Sequence, residues 1–79
     1  MIIHNGQTDK AIMRELGKRI KNVRLYREMD YDTCHFATGV SINIIRQAEN
    51  GEPISMTNFI KILRGLRKLD EMDRLLDLS

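Results

Sequence analysis

The stretch GVSINIIRQAENG, residues 39–51, begins with a glycine and a serine and closes on Asn50-Gly51. Ser41 is a natural helix N-cap, because its hydroxyl accepts from the first free N–H groups, and Gly51 suits the left-handed turn that ends a helix. Residues 42–50 are therefore expected to form a short helix. At 100° per residue, Ile44, Ile45 and Ala48 fall together on one side. Asn43, Arg46 and Asn50 fall on the opposite side, with Ile42 and Gln47 on its flanks. The inner side is core. The outer side is polar but nearly uncharged, whereas a merely solvated helix face usually carries Lys and Glu. Asn and Gln suit adenine edges, Arg suits guanine, and an aliphatic side chain suits a thymine methyl, so this face has the composition of a DNA reader.

Working outward, helical periodicity is the only strong pattern. From Thr8, a candidate N-cap, Ile12, Leu16, Ile20 and Val23 mark one long amphipathic helix running to about Arg27. Asp30 caps a second, short helix through Ala37, which Thr38-Gly39 stops. After Pro53, Ser55 caps a fourth helix carrying Met56, Phe59, Ile60, Leu63 and Leu66 on one side. Asp70 is the expected cap of a fifth, with Met72, Leu75, Leu76 and Leu78. The expectation is an all-α, five-helix domain over residues 8–79, preceded by a tail over 1–7.

Composition bounds the function. A chain of 79 residues, 42% hydrophobic and 30% charged, is one globular domain with a thin core. No apolar run approaches the roughly 18–20 residues of a membrane span, and the start lacks the order of a signal peptide. The lone Cys34 has no internal disulfide partner and fits a reducing compartment, so a cytoplasmic location without membrane contact is expected. The net charge is only +2, but it is unevenly spread: Lys10, Arg14, Lys18, Arg19, Lys21, Arg24 and Arg27 flank an acidic centre, with Lys61, Arg64, Arg67 and Lys68 beyond it. Basic flanks of this kind suit a phosphate backbone as well as they suit plain solvated faces. Arg14, Lys18 and Lys21 are the natural phosphate contacts on helix 1. Cys34 and His35 point about 100° apart on a helix and do not form a metal pair, so Cys34 is read as a core filler. No phosphate loop, nucleophile elbow or paired carboxylates occur, and no catalytic, cofactor or metal role is expected.

A short helix, a tight glycine turn and a second short helix have the shape of a helix-turn-helix. With LGKRIKNVRLYREM before it, the chain from Leu16 through Gly51 resembles the XRE, or lambda-repressor/Cro-like, helix-turn-helix family. The shared features are Arg24 on a basic helix, Gly39-Val40-Ser41, the inward Ile45 and Glu49-Asn50-Gly51. The resemblance implies a lambda-repressor-like fold with the motif at about 31–38 and 42–50. It implies a buried ion pair between Arg24 and Glu49, base reading by Ile42, Asn43, Arg46 and Gln47, and phosphate contacts at Tyr31, Ser41 and Asn50. Helix 2 differs from the family pattern: Tyr31 stands where Gln is usual, and Cys34, His35 and Thr38 stand where Leu, Ala and Leu are usual. Glu28 replaces the glycine that commonly closes helix 1.

The segment GEPISMTNFIKILRGLRKLDEMDRLL is similar to the C-terminal half of a subgroup that includes HipB-like antitoxin subunits. That likeness implies a homodimeric repressor on double-stranded DNA, with a HipA-like kinase toxin as a further partner. Leu69, Met72, Leu75 and Leu76 give the last helix more apolar surface than its own domain hides, and they are the expected dimer seam. A two-fold dimer places two reading helices about 34–36 Å apart on one DNA face. Two function classes follow: a sequence-specific repressor, and an antitoxin-like protein-interaction subunit with secondary DNA binding.

Overall fold

Each α-helix starts where a short polar side chain satisfies a free N–H. In the computed structural model, which describes residues 2–78, Thr8, Asp30, Ser41 and Ser55 accept from the N–H of Ala11, Thr33, Ile44 and Asn58. These caps open α1 (Asp9–Tyr26), α2 (Tyr31–Thr38), α3 (Ile42–Glu49) and α4 (Met56–Gly65). The N–H that Asp30 accepts from Thr33 holds its carboxyl below the usual range, so the cap is ionised at neutral pH. No strand occurs among the described residues, and no helix among them is long and apolar enough to cross a membrane. Met1 and Ser79, the ends of the expected tail and domain, lie outside the described residues.

Three of the four α-helices end on one plan. After α1, the Met29 N–H donates to the Arg24 carbonyl (3.0 Å) and the Glu28 N–H to the Leu25 carbonyl (2.9 Å), a Schellman closure. The Glu52–Gln47 and Lys68–Leu63 bonds close α3 and α4 in the same way. This closure puts one residue in the left-handed region. After α3 it is Gly51 (φ 77°), but after α1 it is Glu28 (φ 57°) and after α4 it is Arg67 (φ 60°). A side chain there costs about 1–2 kcal/mol, against about 0.5–1 kcal/mol for the extra freedom a glycine loses on folding. Glu28→Gly is therefore expected to stabilise the domain by about 0.5–1 kcal/mol and raise its Tm by a few degrees. An unchanged or lowered Tm in a calorimetric scan would contradict the strain.

The core is built on α3. Ile45 and Ala48 are buried with Ile20 of α1, Cys34 of α2, Val40 of the turn, and Ile62 and Leu66 of α4. α1 packs most extensively on α3, and α2 on α4 and α3. Two glycines set these approaches. A Cβ on Gly17 would lie 2.4 Å from the Ala48 carbonyl oxygen, and one on Gly65 would lie 2.5 Å from Thr38 Cγ2. Backbone meets backbone at the α1–α3 crossing.

The C-terminal segment departs from expectation. Leu69–Arg74 forms a 3-10 helix rather than an α-helix, and Asp70 lies inside it rather than capping it. No side chain caps its start, and Leu76 takes φ 59°, which stops any continuation. A segment this short forms few bonds to offset the cost of nucleating an α-helix. Leu75, Leu76 and Leu78 follow the helix and are exposed, while Leu69 and Met72 are half-buried.

Candidate nucleic-acid interface

The turn joining α2 to α3 is three residues long and is held by unusual chemistry. Gly39 adopts φ 72°, with nothing near enough to meet a side chain there, so its requirement is conformational. The Thr38 hydroxyl donates to the Cys34 carbonyl (2.7 Å) and accepts from the Val40 N–H (3.1 Å). His35 Nδ1 lies 2.8 Å from the Val40 carbonyl oxygen. His35 and Thr38 thus tie the turn to α2. Cys34 beneath them is fully buried, and burial pushes its thiol above the ordinary range, so it stays protonated core.

α3 presents the divided face its sequence suggests. Ile45 and Ala48 are buried, Ile42 and Ile44 half-buried, and Asn43, Arg46, Gln47 and Asn50 exposed. The one acid of the helix, Glu49, is turned inward. Its side chain is 3% exposed and that of Arg24 5%, with Arg24 Nε donating to Glu49 Oε2 at 2.7 Å. Arg24 Nη2 donates to Glu49 Oε1 (3.3 Å) and Nη1 to the Met29 carbonyl (2.9 Å). The geometry therefore brings Arg24 and Glu49 together across α1 and α3, with the remaining guanidinium donor tying down the end of α1.

Tyr31 sits differently from the phosphate contact expected of it. Its hydroxyl donates to Glu49 Oε1 at 2.8 Å, and its ring is half-buried. The bond to Glu49, with burial, holds the phenol above the usual tyrosine range and keeps it a donor. The side-chain oxygen is committed inside the domain, and only the backbone at the start of α2 remains for a phosphate. The ring also receives two guanidinium groups, the buried Arg24 at 4.1 Å from its centroid and the exposed Arg46 at 4.8 Å. Sequence reasoning missed this cluster, because its partners lie 18 residues apart and no local pattern links them.

The chain matches no family model, no curated protein and no solved structure.

The other expected contacts lie on the surface. Ser41 and Lys18 are exposed, as are Arg14 and Lys21 on α1. Gly51, just after α3, packs directly over the Arg14 backbone, so the first half of α1 adjoins the C-terminal end of α3. Among the described residues, every buried side-chain nitrogen and oxygen is hydrogen-bonded, and no group of three or more His, Cys, Asp or Glu could hold a metal ion.

The residues of the expected dimer seam lie in the 3-10 helix (Leu69, Met72) or just after it (Leu75, Leu76), not along one face of an α-helix. Met72 and Leu75 line an open groove of about 440 Å³ with Leu16, Val23, Phe59 and Leu63, while Leu69 does not line it and Leu76 projects freely into solvent. The apolar surface thus moves from one face of a terminal helix to a trough between α1, α4 and the C-terminal segment.

Proposed function

We infer that this chain is a sequence-specific DNA-binding transcriptional regulator of the XRE, lambda-repressor-like kind, a repressor acting as a homodimer with α3 in the major groove. The observation that carries this reading is the outer face of α3: Asn43, Arg46 and Gln47 are exposed while Glu49, the only acid of the helix, is withdrawn into an ion pair. A DNA-facing surface gains by removing negative charge, and α3 has done so without losing the carboxylate. Ile42, half-buried on the flank, supplies an apolar contact for a thymine methyl. The Ser41 hydroxyl, Asn50, Lys18 and the N–H groups opening α2 and α3 supply phosphate contacts.

Arg46→Ala tests this directly. It is expected to relax preference at one base position and weaken cognate binding by about 1–3 kcal/mol. Lys18→Ala is expected to weaken all duplexes alike and flatten the salt dependence. Base preference in Arg46→Ala equal to wild type would remove Arg46 from the reading set.

The trough between α1, α4 and the C-terminal segment favours a second copy of the chain as its cover, which also extends a thin core. The same trough favours a second reading, an antitoxin-like subunit whose groove takes a HipA-like toxin. Sedimentation equilibrium separates the two: a dimer of the pure protein supports self-association, and a monomer leaves the groove for another chain.

A further inference from the structure

We propose that Tyr31 is a positioning residue for Arg46: its ring is a platform, anchored from within by Glu49 and Arg24, on which the Arg46 guanidinium rests before it reaches DNA. The proposal rests on the DNA-reading function of α3. An arginine on an open helix face has many rotamers, and ordering it on binding subtracts from the affinity its base contact provides. Here the exposed Arg46 guanidinium lies 4.8 Å from the Tyr31 ring centroid. The ring is itself fixed, because its hydroxyl bonds Glu49 at 2.8 Å and Arg24 lies over it at 4.1 Å. Arg46 makes no ion pair among the described residues. Its charge is therefore held in place without being neutralised. An aromatic platform does both at once, whereas a carboxylate partner would compete with the guanine.

Two substitutions separate ring from hydroxyl. Tyr31→Phe keeps the platform and loses the bond to Glu49; Tyr31→Gln offers a donor and has no ring. Each is made in the wild-type and Arg46→Ala backgrounds, and Kd is measured on a duplex that the wild-type protein enriches from a random pool and on the same duplex altered at the base pair that Arg46→Ala no longer distinguishes. Tyr31→Phe is expected to keep discrimination there within about twofold, and Tyr31→Gln to lose about three- to tenfold. In the Arg46→Ala background neither variant is expected to change it further. In the free wild-type protein, the Arg46 δ-methylene protons are expected upfield of ordinary arginine positions, a ring-current readout that needs no variant to fold. Unshifted protons overturn the platform. Discrimination kept or improved in Tyr31→Gln overturns the positioning role, as does an equal fall for all sequences in both backgrounds, which marks Tyr31 as merely structural. If Arg46→Ala itself leaves every base preference intact, the reading role of Arg46 falls and the proposal with it. That result is distinct from the others, in which Arg46 still reads.

Discussion

Glu49→Ala is expected to destabilise the domain by about 3–5 kcal/mol, because it strands a buried guanidinium. Arg24 would keep only its bond from Nη1 to the Met29 carbonyl, with Nε and Nη2 left without partners in a site where both side chains are nearly inaccessible. The Tyr31 hydroxyl would lose its acceptor in the same stroke. A domain of this size is stable by only about 4–12 kcal/mol, so the loss is a large share of the whole. At about 4–8 °C per kcal/mol, the Tm should fall by at least about 12 °C, or the cooperative transition should disappear. The paired replacement Arg24→Met with Glu49→Met is expected to be far milder, since it removes both charges together. Circular-dichroism melting of the three proteins decides the matter. A shift below about 4 °C in Glu49→Ala would mean that water reaches the pair and that the α1–α3 lock is not electrostatic.

The second large effect is expected at Gly17. Alanine at a helix interior ordinarily stabilises by about 1 kcal/mol relative to glycine. At this position the added Cβ would lie 2.4 Å from the Ala48 carbonyl oxygen and 2.6 Å from that of Glu49. Both are backbone atoms, so no rotamer change relieves the clash, and α1 and α3 must separate. Overpacking of this kind costs about 1–3 kcal/mol or more, enough to reverse the sign of the helix-propensity gain. Gly17→Ala should therefore lower the Tm, and it should also weaken cognate DNA binding by shifting α3 against α2. A raised Tm would show that the crossing has slack and that Gly17 is an ordinary helix residue.

How far the fold was legible depends on how local each signal is. The caps at Thr8, Asp30, Ser41 and Ser55 are contacts within three residues, and sequence placed all four. The inward Ile45 and outward Arg46 follow from a repeat of 3.6 residues and were equally legible. The C-terminal segment was not. A stripe of leucines says that a surface is apolar, but it does not fix the backbone geometry beneath it, and Leu69–Arg74, which no side chain caps, takes 3-10 geometry. Tyr31 escaped for a different reason. Its position at the start of α2 suggested a phosphate, but the acceptor that claims its hydroxyl is at the far end of α3. Gly17 carried the faintest signal, a glycine inside a helical pattern, whose meaning appears only when the opposing carbonyls are in place.

The polar residues of α2 were legible as residues but not in their role. Read as a string, Cys34, His35 and Thr38 depart from an apolar norm. In the structure Thr38 and His35 spend their polar atoms on the turn itself, bonding to Cys34 and Val40, so these polar groups add hydrogen bonds that tie the turn to α2 beside the packed Cys34 and Val40.

The role proposed for the outer face of α3 is to read DNA. Its most direct test is selection of bound duplexes from a random pool at about 150 mM salt, with Asn43/Arg46/Gln47→Ala carried in parallel. An enriched two-fold motif with half-sites one turn apart, lost in the triple variant, is the predicted result. No enrichment, with binding that is equal in both proteins and vanishes with added salt, would contradict it.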